Sequence, residues 1–255
     1  MNSVITYKKL NIKDFQVTEP KVNNFGGKFA YINYDGESKY GIQTPKMRMP
    51  FKMSIFTPEN GDAPKYSISL AFDKDNKNIK MFFDKMVEFD KYIINLGVKN
   101  SQKWFKKKHK RAVVEALYSP IVRFSTDKKT GEKNDKFSPT FKLKLYKNRT
   151  TGDFVCKVFD NKKVKLELTD ELLTQGTKVT ALFKPSSLWF AGGKFGVSFN
   201  VNQMKVEIME KETEYEFISD SDDDSEDEGE DTTTTTTAAD KDESSEESET
   251  DEDSD

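Results

Sequence analysis

The sequence predicts a mainly β fold: a small, mostly antiparallel barrel, closed or nearly closed, with one helical insertion and a disordered acidic tail. Three observations predict it. Short alternating or β-rich runs are punctuated by glycine turns, one central stretch switches to helical apolar spacing, and the composition changes sharply near Val206.

In chain order, strand-like segments run over Phe29 to Tyr34, Lys52 to Phe56, Tyr66 to Phe72, Ile121 to Ser125, Phe141 to Tyr146, Phe154 to Phe159, Val164 to Leu168, Val179 to Phe183 and Phe195 to Val201. They are rich in β-branched and aromatic residues, or they alternate with the period of two that sends successive side chains to opposite faces. Turn signals separate many of them: Asp35-Gly36, Lys128 to Lys133 around Gly131, Thr151-Gly152-Asp153, Gly176 and Ala191-Gly192-Gly193. Between Asn76 and Leu96 the residues Ile79, Phe82, Phe83, Met86, Phe89, Ile93 and Leu96 recur at helical spacing, and Gly97 is the expected stop. A second helix is expected from Ser101, as its N-cap, to Leu117, ahead of Ser119-Pro120. Helices that interrupt short strands, instead of alternating with them, favour a small barrel over a parallel α/β sheet.

The folded domain is expected over residues 1–206, with the helical insertion at about 76–117, and the tail over 207–255. From Ser219 onward Asp, Glu, Ser and Thr dominate, with a run from Thr232 to Thr237. Such a composition buries too little apolar surface to offset the entropy of ordering.

Charge divides the chain in the same place. The net charge is only −3, yet Met1 to Val206 holds 39 basic and 20 acidic residues, a net of +19, whereas Glu207 to Asp255 holds 2 basic and 24 acidic residues, a net of −22. This asymmetry points to a nucleic-acid partner and an acidic interaction tail.

Catalytic chemistry is poorly represented. The single cysteine, Cys156, has no disulfide partner in the chain and lacks the companions of a metal site. The single histidine, His109, lies within Lys106-Lys107-Lys108-His109-Lys110-Arg111, where neighbouring charge disfavours its protonation, and reads as a solvated surface residue. Gly192-Gly193-Lys194-Phe195-Gly196 lies between strand-like runs with no following helix, so it reads as a hairpin turn and not a phosphate loop. The expectation is a binding protein, not an enzyme, with no cofactor and no metal. The first fifteen residues show no apolar stretch of signal-peptide length and nothing approaches a membrane span, so the protein is expected to be intracellular, not secreted, with no membrane partner.

The body carries 29 of the 31 aromatic residues, closely mixed with lysines. Cations that track phosphates, beside flat rings that stack on unpaired bases, are what a single-stranded nucleic acid requires. Most of these rings also have a simpler reading as core. Alternation separates the two in Phe141 to Tyr146, where Phe141, Leu143 and Leu145 face one way and Lys142, Lys144 and Tyr146 the other. Likewise Val179, Ala181 and Phe183 oppose Lys178, Thr180 and Lys184, and Phe195, Val197, Phe199 and Val201 oppose Ser198, Asn200 and Asn202.

The Ser101 to Leu117 segment adds Lys103, Lys106, Lys107, Lys108, Lys110 and Arg111 with Trp104 and Phe105 interleaved, and repulsion among these cations disfavours the helix unless anions relieve it. A nuclear-localisation signal or a solvated surface are its alternatives. In Gln43 to Phe51, Pro45 and Pro50 stiffen an extended run that carries Lys46 and Arg48. Trp189 and Phe190, adjacent in a strand, point to opposite faces, and which of them is exposed stays open. The candidate contacts with nucleic acid are therefore Tyr31, Tyr34, Lys46, Arg48, Trp104, Lys106, Lys107, Lys108, Lys110, Arg111, Arg123, Lys142, Lys144, Tyr146, Lys178, Lys184, Trp189, Phe190 and Lys194.

Several of these segments resemble the single-stranded DNA-binding proteins of nucleocytoplasmic large DNA viruses. The resemblance rests on Gly26-Gly27-Lys28, the Tyr31-Ile32-Asn33-Tyr34 strand, Gln43-Thr44-Pro45 to Pro50-Phe51, Trp189-Phe190, Gly193-Lys194-Phe195-Gly196 and Gln203-Met204, spread over most of Phe25 to Val206. It implies an OB-fold-like core that coats single-stranded DNA in viral replication, recombination or repair, at replication sites in the host cytoplasm or nucleus. The acidic tail would then modulate binding or recruit replication proteins. Ser219, Ser221, Ser225, Ser244 and Ser248 each precede an acidic residue by three positions, a setting that suits acidophilic kinases, and phosphorylation would deepen the charge. Two rivals stand beside this expectation: a histone or basic-protein chaperone whose tail is the active surface, and an RNA-binding protein.

Overall fold

The computed structural model describes residues 3–24, 26–127, 129–169 and 171–207. The chain divides into two units, 1–210 and 211–255, and every described residue belongs to the first. Apart from Glu207, the acidic tail lies outside the described residues, and so do its five candidate phosphorylation sites.

The architecture is mainly β with a helical insertion. One large sheet runs in the order Ser3–Thr6, Tyr40–Gln43, Lys178–Ala191, Lys194–Glu207, Thr140–Leu145, Lys65–Ala71 and Ser54–Phe56, with shorter strands appended along it. This path is mostly antiparallel, as the sequence predicts, but open at both ends where a closed or nearly closed barrel is expected, and two of its pairings are parallel. Ser3–Thr6 runs parallel to Tyr40–Gln43, and Thr140–Leu145 joins Lys194–Glu207 in parallel through Lys144 and Asn200.

The centre is a hairpin of two 14-residue strands, Lys178–Ala191 and Lys194–Glu207, where the sequence suggests shorter ones. Gly192 and Gly193 close it at φ +57° and +73°, the paired positive values that a two-residue hairpin loop demands. Register shifts at Leu182/Phe183 and Pro185/Ser187 let Pro185 sit in the strand beside an irregularity. The second shift also keeps Lys184, opposite Asn200, and Ser187, opposite Ser198, on one face.

Helix α1, Lys77–Lys99, lays its stripe of Ile79, Phe82, Met86, Phe89 and Ile93 on the inner face of the sheet, and all five are buried. Phe82 meets Phe141 and Phe183 at ring separations of 5.7 and 6.0 Å, and Phe89 meets Phe199 at 6.3 Å. Burying side chains of this size contributes about 1.5–3 kcal/mol each. Asn76 caps the helix by accepting from the backbone N–H groups of Asn78 and Ile79 at 2.9 and 3.2 Å.

Gly97 does not stop α1. A Cβ there would lie 2.9 Å from Val114 Cγ1 and 3.1 Å from Phe195 Cζ, so glycine is required for close packing against the Arg111–Leu117 helix and the hairpin.

The expected second helix is two: α2, Ser101–Phe105, and α3, Arg111–Leu117. Lys106 turns left-handed at φ +61° and breaks it, in line with the repulsion among its lysines. The buried Ser101 then organises the intervening loop. Its hydroxyl donates to the Lys107 carbonyl at 2.8 Å and accepts from the His109 N–H at 2.6 Å. His109 is accordingly half-buried, its ring 5.8 Å from Phe105, and not a freely solvated side chain.

Candidate nucleic-acid interface

The outer face of the sheet, opposite the helix, gathers a set of cations. Lys142 and Lys144 alternate with the buried Phe141, Leu143 and Leu145 and so point outward. Lys144 lies in a cross-strand row with Ser67 on one side and Asn200 and then Lys184 on the other, which puts all four on the same face. The short Val122–Arg123 strand pairs with the start of Thr140–Leu145 and adds Arg123 to the group. A shallow groove of about 230 Å³ runs between them, lined by Arg123, Lys142, Lys144, Trp189, Ser198 and Phe199 among others.

Electrostatics shows how closely these cations are held. Burial and then repulsion from Arg123 lower the Lys142 pKa from its ordinary 10.5. Burial, followed by repulsion from Lys142, Lys65 and Arg123, does the same to Lys144. Arg123 is lowered by burial. The Lys144 ammonium donates to Ser198 Oγ at 2.8 Å. Among the described residues, no carboxylate forms an ion pair with Arg123, Lys65, Lys142, Lys144 or Lys184, although six such pairs form elsewhere. Like charges brought together without counter-charge favour an anionic ligand.

Rings flank the cations on the same face. Gly196 lies under the Trp189 indole, and a Cβ there would come within 2.7 Å of Trp189 Cζ2 and 3.1 Å of the Ser119 carbonyl. Trp189 therefore lies against backbone at the groove. Phe29 pairs with it across the strands, and the exposed Tyr31 meets Phe29 edge-on at 5.2 Å, with the Lys21 ammonium 5.8 Å from the Tyr31 ring. At the other end Tyr146 is 44% exposed, and Phe56, 60% exposed, pairs with Lys65. Tyr31, Phe29, Trp189, Tyr146 and Phe56 thus border the row of cations. Phe29, Phe56 and Lys65 were not among the sequence candidates, because cross-strand register is invisible in one strand's alternation.

Of the sequence candidates, Tyr31, Arg123, Lys142, Lys144, Tyr146, Lys184 and Trp189 come together here. Lys194 stands at the hairpin tip, paired with Ala191 and on the Trp189 side. Others do not join. Tyr34 and Trp104 are buried, at 8% and 5% exposure, and in these positions neither ring offers a face to a base. Tyr34 packs edge-on to Phe15 at 5.0 Å, and its hydroxyl donates to Asp14 at 3.2 Å.

Phe190 turns to the inner side, as the partner of Trp189 in alternation must. It meets Trp104 at 5.5 Å and Phe195 at 6.1 Å, with the Lys28 ammonium 5.2 Å from its ring centroid. Lys46 and Arg48 are occupied by Glu207 at 2.8 Å and Asp73 at 3.2 Å, and they sit near Lys178 at the hairpin's open end. Arg111 pairs with Glu115 at 3.3 Å on α3. Lys106, Lys107, Lys108 and Lys110 are exposed on the loop between α2 and α3 and are not among the residues that line the groove.

The groove wall is anchored from beneath. Asp90 of α1 accepts from the Tyr118 hydroxyl at 2.7 Å and from the N–H groups of Ile121 and Val122 at 2.9 and 3.3 Å, fixing the strand that carries Arg123. Burial raises the Asp90 pKa from 3.8 despite these bonds. Among the described residues, no three His, Cys, Asp or Glu side chains are grouped to hold a metal. Burial also pushes the Cys156 thiol up to about 12, holding it neutral.

Solved structures similar to this chain include three of single-stranded DNA-binding proteins from bacteriophages. The single-stranded DNA-binding protein gp2.5 of bacteriophage T7 shares 14% identity over 69% of this chain and 96% of its own, with a TM-score of 0.41. The single-stranded DNA-binding protein of bacteriophage Enc34 shares 14% identity as a C-terminal truncation, covering 77% of this chain and 97% of its own at a TM-score of 0.39. In a second structure that protein shares 16%, covering 74% and 88% at a TM-score of 0.37. No curated protein matches the sequence. Residues 67–219, which include Lys142, Lys144 and Trp189, match a family described as of unknown function, and the chain belongs to that family, DUF5871.

Proposed function

We propose that this protein binds single-stranded DNA without sequence specificity, coating and protecting it during viral DNA replication, recombination or repair. The observation that carries the reading is the outer sheet face, where cations without carboxylate partners among the described residues lie beside exposed rings. Ammonium and guanidinium groups neutralise phosphates, and the rings stack on bases at about 1–3 kcal/mol per base. Every base has a flat face, so such stacking tolerates any sequence. A duplex keeps those faces covered. The resemblance seen in the sequence extends the proposal to a large DNA virus and to intracellular replication sites. The acidic segment 207–255 completes it, as a modulator of binding or a recruiter of replication proteins.

The test is fluorescence or anisotropy titration with oligo-dT, the same sequence as RNA, and duplex DNA. Wild-type protein binds the DNA single strand most tightly. Trp189→Ala weakens binding about 5- to 150-fold, the equivalent of about 1–3 kcal/mol, and Trp189→Phe recovers most of the loss. Equal affinity for duplex would point instead to general DNA packaging. A preference for the RNA strand would identify an RNA-binding protein, and indifference to Trp189→Ala would remove stacking from the mechanism.

A further inference from the structure

The basic residues of the helical insertion lie on the opposite side of the hairpin from the groove. Phe190 and Phe195 pair across the hairpin near its tip and face inward, where Trp104 and Phe105 of α2 cover them at 5.2–6.1 Å. Trp189, one residue earlier, lies on the groove side. The loop Lys106–Lys110 continues directly from α2, so it belongs to the back of the hairpin.

This loop is built, not slack. Ser101 ties it at Lys107 and His109. The Lys28 ammonium, from the strand paired with the hairpin, donates to the carbonyls of Trp104 at 2.7 Å and Lys103 at 3.2 Å, pinning the end of α2 to the sheet. Repulsion from Lys106 is a secondary cause, after burial, of the lowered Lys28 pKa. Lys106, Lys107, Lys108 and Lys110 are exposed, and among the described residues none of them forms an ion pair. The strand that carries Trp189 ends at the hairpin tip, where Ala191, Gly192, Gly193 and Lys194 are all exposed. Two glycines leave the backbone bare, and Lys194 offers a cation on the way.

We infer that a long single strand leaves the groove past Trp189, bends around the Gly192-Gly193 tip and ends on the lysine loop behind it. The inference rests on the groove as the primary strand site and adds a second site that only longer strands reach. The protein then has two binding modes set by strand length.

The experiment compares a strand of about 6 nucleotides, near the short end of the roughly 4–16 nucleotides that one OB fold spans, with one of about 30, well beyond it. The full chain is used throughout, as wild type, as a loop variant with Lys106, Lys107, Lys108 and Lys110 changed to Gln, and as a groove variant with Lys142→Gln and Lys144→Gln. The loop variant is expected to bind the short strand as wild type does. On the long strand its salt slope becomes shallower by up to about 2.8, at about 0.7 for each phosphate no longer neutralised. Lys194→Gln, at the tip, reproduces part of the long-strand effect without touching the loop, which guards against a folding defect in the loop variant. Equal weakening on both strands, or none on either, would overturn the wrapped path while leaving the groove intact. If the groove variant binds both strands normally, the groove itself fails.

Discussion

Changing Lys142 and Lys144 to glutamine tests the interface through two properties that ordinarily move together and here should separate. On the proposed reading, a strand short enough to stay in the groove would place its phosphates against the five cations of this face, Lys65, Arg123, Lys142, Lys144 and Lys184. At about 0.7 per neutralised phosphate the wild-type plot of log affinity against log salt has a slope near −3.5, and removing two cations makes it near −2.1. Between about 50 and 200 mM salt the ratio of wild-type to variant affinity therefore shrinks about sevenfold.

Stability should not follow. Both lysines have folded-state pKa values below 10.5, so the native state holds these protons less tightly than the unfolded chain. Their charge opposes folding at every pH below the lowered values, and that opposition is relieved as pH rises toward 10.5. Glutamine removes the repulsion and can still bond Ser198, so the thermal midpoint at neutral pH should stay level or rise. Binding phosphate favours the charged lysines, so wild-type affinity should also fall as pH climbs through the lowered values, before ordinary lysines titrate. Oligo-dT titrations across salt and pH, beside calorimetry, read all three quantities. An unchanged slope, or an affinity drop that merely tracks reduced stability, would refute the assignment of these lysines to the ligand.

Two further outcomes follow from packing. Gly196→Ala places a Cβ 2.7 Å from the Trp189 ring and 3.1 Å from a carbonyl that cannot move easily, so the indole must shift. Strand affinity should drop within the range for one missing stack, about 1–3 kcal/mol, with the salt slope unchanged and the tryptophan emission altered. Asp90→Ala strands one hydroxyl and two N–H donors at about 1–3 kcal/mol for each that stays buried, and should cost about 3 kcal/mol or more in denaturant titration. With Asp90→Asn the comparison depends on pH. The raised carboxyl pKa means the wild-type side chain contributes most stability below 3.8 and loses it as pH rises through the folded value. The asparagine variant should therefore gain on wild type over that window, and a constant difference would show that the Asp90 charge carries no burial cost.

Much of this protein was settled by local chemistry. The mainly β character, the α1 stripe, the Asp35-Gly36 and Gly192-Gly193 turns and the outward set Lys142, Lys144 and Tyr146 all depend on neighbours within a few residues. Backbone sterics and periodicity act at that range, so one chain suffices to reveal them. The charge division at Val206 is likewise a property of composition alone.

What tertiary structure decided are relations between distant segments. Whether Gly97 ends a helix or admits Val114 and Phe195 depends on packing across the insertion. Whether Trp104 is a stacking platform or a wall depends on Phe190 and Phe195 approaching it. Lys46 and Arg48 look as free as Lys144 in the sequence, yet Glu207 and Asp73 neutralise them, while among the described residues no carboxylate pairs with the groove cations. Phe56 and Lys65 enter the interface only through register. A side chain's face follows from alternation, but its partners follow from which strands lie side by side, and that is set by burying one common core.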